Sequence, residues 1–150
     1  TSVGKAMMAY MDDAQVDRII DQYGLARFTD RTITDRSVLA EELRRVRSQG
    51  YAVDDIEHEP GVRCVGAAIQ DHTGGVFASI SISGPTARIT QNRVAELGKL
   101  AKETADEISG RLGYRGDGAG ALARQRTGAN GASAPATPSP AGAEGAEKQT

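Results

Sequence analysis

The sequence predicts an α+β domain in which helices pack against a small antiparallel sheet. Apolar residues recur at helical spacing in the first 49 residues and again after residue 90, whereas between residues 51 and 83 the spacing changes to two, which is the period of a strand. Only short loops separate the strand-like runs, and short loops join antiparallel neighbours. The predicted order is therefore three helices, three strands and a final helix.

Two short helices are predicted at the start of the chain. Residues 4–11 and residues 14–23 both have helical patterns. The apolar residues that share a face in the second pattern are Val16, Ile19, Ile20 and Tyr23. Gly24 follows directly, at the position where a glycine commonly ends a helix.

Two longer helices are predicted further along. One covers residues 35–49, with Thr34 as its cap and Gly50 as its stop. The other runs from about residue 91 to residue 112 and stops at Gly113. Each has one apolar face and a charged remainder, which is typical of a helix that covers a sheet.

Three strands are predicted between these two helices. Residues 51–56, 62–70 and 76–83 are rich in β-branched and apolar side chains. The segments 57–61 and 71–75 contain the Gly, Pro and Asp residues of turns. These runs therefore indicate an antiparallel meander.

The pairing partners follow from the lengths of the two loops. A first loop of five residues, 57–61, places Asp54 opposite Cys64. If the second loop has four residues, 71–74, so that Gln70 pairs with Gly75, Cys64 lies opposite Ser81. Ser83 then lies two residues along the strand on the same face. Asp54, Cys64 and Ser81 are therefore predicted to form a row across the sheet, with Ser83 beside it.

This polar row is a candidate binding site for a small polar ligand. It combines a carboxylate, a thiol and two hydroxyls, and the neighbouring Gly66 and Ala68 leave room beside them. Serines in a strand also mark its solvent face, and a lone cysteine is commonly a small core residue. The residues alone leave both interpretations open.

Composition limits the surroundings and partners of the protein. The 150 residues have a formal net charge of −2 and contain one cysteine. No apolar run reaches the roughly 18 to 20 residues that span a bilayer. Without a basic excess this chain alone is not expected to bind DNA. With no second cysteine and no signal peptide, the cytoplasm is the expected location.

Two regions are predicted along the chain. Residues 1–116 hold nearly all the large aliphatic side chains and form the folded domain. Residues 117–150 are rich in Ala, Gly and Pro, and are predicted to be a disordered tail because they have little to bury. Since the sequence begins at Thr1 within a helical pattern, we expect it to be a fragment of a longer protein.

Several motifs together resemble the effector-binding domain of the IclR family of bacterial transcriptional regulators, a domain with a GAF-like sensor fold. They are T-S-V-G-K-A at residues 1–6, G-Y-A at 50–52, E-x-E-x-G-V-x-C-V at 57–65, and S-I-S-G-P at 81–85 with Arg88. Each motif is short, but their order and spacing are specific. The resemblance covers roughly residues 1–114.

The resemblance implies a ligand site on the sheet. In that family the ligand is typically held by an acid, a cysteine and two serines, and these motif positions fall here on Asp54, Cys64, Ser81 and Ser83. Backbone amides just before the G-K step also contact the ligand, which points to Ser2 and Val3.

Two residues depart from the family pattern. Gly66 and Ala68 stand where the family commonly has Ala and Pro. We therefore expect a wider pocket floor or a less rigid strand at these positions.

The resemblance also implies a function and partners for the whole protein. Such a domain binds a small carboxylate effector, here expected to be an oxo, hydroxy or aromatic acid. The effector modulates DNA binding by a winged helix-turn-helix domain, which the family places upstream together with the first strands of the sensor sheet and which this chain lacks. A homodimer or homotetramer is expected, with no catalysed reaction, no cofactor, no metal and no membrane association.

Three other interpretations come from the residues alone. Cys64 is a possible nucleophile of an enzyme, with His58 or His72 as its base, although both histidines lie in predicted loops at opposite ends of the Cys64 strand. The acidic segment around Glu57 and Glu59, with the neighbouring Asp54, Asp55, His58 and Cys64, is a possible metal site. The longer helices are possible assembly surfaces, although covering the sheet explains them more simply.

Overall fold

The computed structural model describes residues 1–116 and shows a three-stranded antiparallel sheet with helices on both faces. The helices are α1 (Ser2–Met8), α2 (Asp13–Tyr23), α3 (Arg36–Gln49) and α4 (Gln91–Arg111). The strands are β1 (Ala52–Asp55), β2 (Val62–Gln70) and β3 (Val76–Pro85), in the spatial order β1-β2-β3. The predicted α+β class and element order are confirmed, whereas the tail predicted at 117–150 lies outside the described residues.

The first helix lies earlier in the chain than predicted. Thr1 is its N-cap, and Thr1 Oγ1 accepts a hydrogen bond of 3.3 Å from the Gly4 amide. This bond satisfies one of the amides that the first turn of a helix leaves free. The helix therefore begins at Ser2 and ends at Met8, instead of covering residues 4–11.

The cap of α3 is Asp35, so the prediction of Thr34 was wrong by one residue. Asp35 Oδ1 accepts hydrogen bonds from the Ser37 amide at 2.8 Å and from the Val38 amide at 3.1 Å. A carboxylate also interacts favourably with the positive end of the helix. The stop at Gly50 is confirmed, since Gly50 has the left-handed conformation with φ of 83°.

The sheet keeps one predicted register and changes the other. Asp54 pairs with Cys64 as predicted, but Cys64 pairs with Ser83 and not with Ser81. The loop between β2 and β3 has five residues, 71–75, and the Asp71 carboxylate stabilises it by accepting from the amides of Thr73 and Gly75. In addition, the register shifts between Ile69 and Gln70, at the end of β2 next to this loop. These two changes shift the register by two residues, which keeps both serines on the face of Cys64.

The two faces of the sheet meet different helices. Alternate residues of β2 and β3, including Val65, Ala67, Ile69, Ile80 and Ile82, pack with α4. On the opposite face α1 lies across all three strands and is backed by α3. A second apolar cluster there joins α1, α2 and α3 with the first residue of β1. No helix among residues 1–116 combines the length and apolar character needed to cross a membrane.

The contact between α4 and the start of β1 depends on a glycine. A Cβ on Gly98 would overlap the ring of Tyr51, whereas a Cβ on Gly110 in the same helix would meet nothing within 4 Å. Gly98→Ala is expected to lower the free energy of unfolding by about 1 to 3 kcal/mol because the ring must move. Gly110→Ala, the matched control, is expected to raise it by about 0.5 to 1 kcal/mol. Urea denaturation of both variants checks this, and equal effects would contradict the proposed packing of α4.

Candidate ligand-binding site

A row of polar side chains crosses the sheet on the α1 face. Asp54, Cys64 and Ser83 are successive cross-strand partners on β1, β2 and β3. Ser81 lies beside Ser83, and their hydroxyl oxygens are 2.8 Å apart. The two serines are exposed, Cys64 is half-buried and Asp54 is 3% exposed. The structure therefore brings together the four sheet residues that the sequence singled out, with Ser83 in the place predicted for Ser81.

Asp54 has one oxygen engaged by the loop after β1. Its Oδ1 accepts hydrogen bonds from the Glu57 amide at 2.7 Å and the His58 amide at 3.4 Å. Its Oδ2 points towards the beginning of α1, where the nitrogen of Thr1 lies 4.0 Å away. Asp54 thus holds the loop with one oxygen and presents the other to the row.

The beginning of α1 rests directly on β2. Ser2 is 2% exposed, and a Cβ on Gly66 would lie 3.2 Å from Ser2 Oγ and 3.0 Å from the Ile80 carbonyl oxygen. The space that Gly66 leaves is therefore filled by Ser2, so the pocket floor is not wider at this position, and the alternative of a less rigid strand stays a prediction. Val3 is 37% exposed on the other side of the same turn.

The amides of Ser2 and Val3 belong to the first turn of α1. Such amides have no acceptor within their own helix. They lie at the end of α1 nearest to Asp54, so both predicted backbone donors are close to the row of side chains.

Lys5 holds α1 in this position and was not singled out as a functional or structural residue by the sequence. Its ammonium donates to Glu42 Oε1 at 2.9 Å, to the Val53 carbonyl at 2.5 Å and to Glu57 Oε1 at 2.6 Å. The side chain is 5% exposed. Its signal in the sequence is a charged residue among the apolar residues 3–8, which favours a paired, buried ion over a solvated one.

A second buried cation fixes the pairing of β1 and β2. Arg63 donates from Nε to Asp55 Oδ1 at 2.7 Å, and from NH1 to the Ile89 carbonyl that precedes α4. Asp55 Oδ2 also accepts from Gln91 at 2.8 Å. Since Arg63 and Asp55 are cross-strand partners next to Asp54 and Cys64, this pair secures the register that forms the row.

The two histidines lie away from Cys64. The ring of His58 packs against Phe28, with centroids 4.9 Å apart, and His72 lies in the loop after β2. Neither histidine forms a side-chain hydrogen bond with Cys64 in the part of the chain that the structure describes. Over the same range, no three His, Cys, Asp or Glu side chains are grouped as metal ligands would be.

Comparison with known proteins defines the family. The family model described as "Bacterial transcriptional regulator IclR C-terminal" matches residues 1–110. The chain therefore belongs to the IclR family of bacterial transcriptional regulators. The part of those regulators that it matches is the C-terminal part.

Curated relatives of this chain include transcriptional repressors. The HTH-type transcriptional repressor AllR of Salmonella typhi is 41% identical over 115 residues, which are 77% of this chain and 42% of that protein. AllR of Escherichia coli K12 is 40% identical over the same shares. This chain thus spans less than half the length of the curated relatives it matches.

Solved structures of the family share the fold. IclR of Thermotoga maritima has a TM-score of 0.72 and 39% identity, over 76% of this chain and 46% of that chain. The C-terminal domain of Escherichia coli KdgR has a TM-score of 0.70 and 38% identity, over 76% and 70%. A double mutant of the PobR inducer-binding domain from Acinetobacter, in complex with 3-hydroxybenzoic acid, has a TM-score of 0.67 and 30% identity, over 73% and 63%.

The network around Lys5 also lowers the pKa of Glu42. Burial by itself raises the pKa of Glu42, but the hydrogen bonds and charges of Lys5 and Arg45 outweigh it and hold the pKa below its ordinary value. A lowered pKa in the folded state contributes stability above the unfolded pKa, and this stability is lost as the pH falls through the folded pKa.

Lys5→Met is expected to lower the free energy of unfolding by about 3 kcal/mol at neutral pH, because Glu42 and Glu57 lose their buried cation. The deficit should shrink as the pH falls below the ordinary glutamate pKa of about 4.3 and through the lowered pKa of Glu42, because a protonated Glu42 has no ion pair to lose. The exposed pair of Lys99 with Glu103 provides the control, and Lys99→Met should cost less than about 0.5 kcal/mol. Urea denaturation across this pH range measures both, and a deficit independent of pH would contradict the ion-pair explanation.

Proposed function

We propose that this chain is the ligand-sensing part of an IclR-type regulator and that it binds a small carboxylate on the α1 face of the sheet. The observation that supports this most directly is the row of Asp54, Cys64 and Ser83 on three adjacent strands, with Ser81 beside it. The row is open to solvent at the serines and closed by the buried carboxylate at its other end. This decrease in solvent exposure from β3 to β1 suits a polar ligand that enters from the β3 side.

The ligand carboxylate is assigned to the amides of Ser2 and Val3. Free amides and the positive end of a helix favour negative charge. The remaining oxygens of the ligand are then within reach of the hydroxyls of Ser81 and Ser83 and of the Cys64 thiol. The first turn of α1 is near these groups, since Ser2 packs on Gly66, the cross-strand partner of Ser81.

Asp54 limits the kind of carboxylate that fits. An ionised Asp54 repels a second negative charge, so its free Oδ2 must either face a donor on the ligand or bind in the protonated form. A hydroxy acid supplies such a donor, and the 3-hydroxybenzoic acid in complex with the PobR double mutant has a hydroxyl meta to its carboxyl on the ring. A small hydroxy, oxo or aromatic acid is therefore the proposed effector class.

The proposed regulatory role requires that ligand binding and DNA binding be thermodynamically coupled. A ligand changes DNA binding only if it binds the DNA-competent and DNA-incompetent arrangements with different affinity. We infer that the winged helix-turn-helix domain and the assembly into a homodimer or homotetramer belong to the longer protein. The relatives named as repressors are in keeping with this role.

Binding can be tested by thermal shift on the full-length regulator with glyoxylate, pyruvate, sugar acids and 3-hydroxybenzoate. The matching acid at about 100 times its Kd should stabilise the protein by about 2.7 kcal/mol. Ser83→Ala and Cys64→Ala should each remove about half of this gain, since a tenfold loss of affinity corresponds to about 1.4 kcal/mol. Ser79→Ala is the matched control, because Ser79 lies on the same strand and face but pairs with Ala68, outside the row.

Two outcomes would overturn this proposal. One is that no acid in the panel shifts the melting temperature. The other is that Ser83→Ala and Cys64→Ala respond to the acid as Ser79→Ala does. The methyl ester of a binding acid serves as the ligand control, and it should give no shift because it lacks the negative charge that the α1 amides receive.

A further inference from the structure

A cavity of about 350 Å³ lies between α1, α2 and the residues before α3. This volume is in the range of sites that hold small ligands, about 300 to 1000 Å³. The apolar side chains that form most of its wall are Met8, Ile19, Ile20, Leu25, Ile33 and Leu39. None of Asp54, Cys64, Ser81 and Ser83 lines it, although Thr1, Glu57 and His58 in its wall also contact Asp54.

The polar end of the cavity is formed by Glu57 and Lys5. Glu57 is fixed at both ends, since its carbonyl accepts from Thr32 Oγ1 at 2.5 Å and its carboxylate Oε1 accepts from Lys5 at 2.6 Å. The second oxygen, Oε2, has no hydrogen bond within residues 1–116. The Glu57 side chain is 14% exposed, and every buried side-chain nitrogen or oxygen in that range has a partner. Oε2 is therefore an immobilised acceptor that solvent or a ligand can reach.

Lys5 offers no donor to a ligand. An ammonium has three N–H groups, and those of Lys5 are taken by Glu42, Val53 and Glu57. Of the pair formed by Lys5 and Glu57, only Glu57 Oε2 is thus left to face a ligand, and it is an acceptor. An anionic ligand would be repelled by Glu57, whereas a ligand that donates hydrogen bonds would be held.

The rings of Phe28 and His58 lie at the mouth of the cavity. Both residues line it, both are exposed, and their ring centroids are 4.9 Å apart. Aromatic rings at a cavity mouth add apolar contact area for a ligand.

We propose that this cavity is a second ligand site, which takes a small molecule with an apolar body and a primary ammonium head. The apolar body lies among the isoleucine and leucine side chains, and the ammonium donates to Glu57 Oε2. The site differs in chemical class from the carboxylate site on the sheet, and its existence does not depend on that site.

The test uses hexylamine, hexanol and hexanoate as probes, with methyl-labelled isoleucine observed by NMR in the full chain. Hexylamine at about 1 to 10 mM should give saturable shifts at Ile19, Ile20 and Ile33. Ile80 and Ile82, on the α4 face, should not move. Hexanoate should bind at least about tenfold more weakly than hexylamine, because it brings a second negative charge next to Glu57.

Two variants separate a binding role from a structural one. Glu57→Gln keeps an acceptor for Lys5 but replaces the free oxygen by a donor, so the preference for hexylamine over hexanoate should fall at least about tenfold. Ala26→Phe places a ring in the lining and should abolish hexylamine binding, whereas Ala40→Phe on the exposed side of α3 should leave it unchanged. Thermal unfolding of each variant reports that it is folded.

Three results would overturn the proposal. They are the absence of saturable hexylamine shifts at the cavity isoleucines, equal affinity for hexylamine and hexanoate, and binding by Ala26→Phe that matches binding by Ala40→Phe. Loss of acid binding at the sheet would leave these three readouts unchanged, so failure of the carboxylate site and failure of the cavity are distinguishable.

Discussion

The arrangement of this domain depends on the buried ammonium of Lys5. Removing a charge from water costs several kcal/mol, and here the cost is offset by acceptors from three other parts of the chain. Glu42 comes from α3, Val53 from β1 and Glu57 from the loop after β1. Since any displacement of α1 would break these bonds in low dielectric, the helix has one position on the sheet. That position seats Ser2 on Gly66 and brings the beginning of α1 to Asp54.

The sheet places the candidate site and the ion pair that secures its strands on opposite faces, because successive side chains of a strand alternate. Asp54 and Asp55 are neighbours in sequence, yet Asp54 faces α1 and the polar row, whereas Asp55 faces the other way and pairs with Arg63. One carboxylate belongs to the candidate site and the other secures the strand pairing beside it. The α4 face is otherwise apolar and provides the rigid support that a binding surface needs.

The fold that carries these features is shared with other members of the IclR family. Residues 1–110 match the C-terminal part of IclR regulators, and relatives of known structure share the fold at TM-scores of about 0.7. The two proposed sites use different faces of α1. Ser2 contacts the sheet, whereas Gly4, Lys5 and Met8 line the cavity. One short helix therefore forms a wall of both.

The sequence by itself determined the α+β class, the element order, the pairing of Asp54 with Cys64 and the family. Each of these follows from local periodicity, from loops whose length sets the register, or from motifs in a fixed order. Only the tertiary structure decided that Ser83 and not Ser81 faces Cys64, because the second loop has one residue more than predicted and the register shifts again between Ile69 and Gln70. The burial of Lys5 also required it, since its partners lie 37 and more residues away in the chain. No local pattern reports contacts at that separation, and these contacts place the helix on which both candidate sites depend.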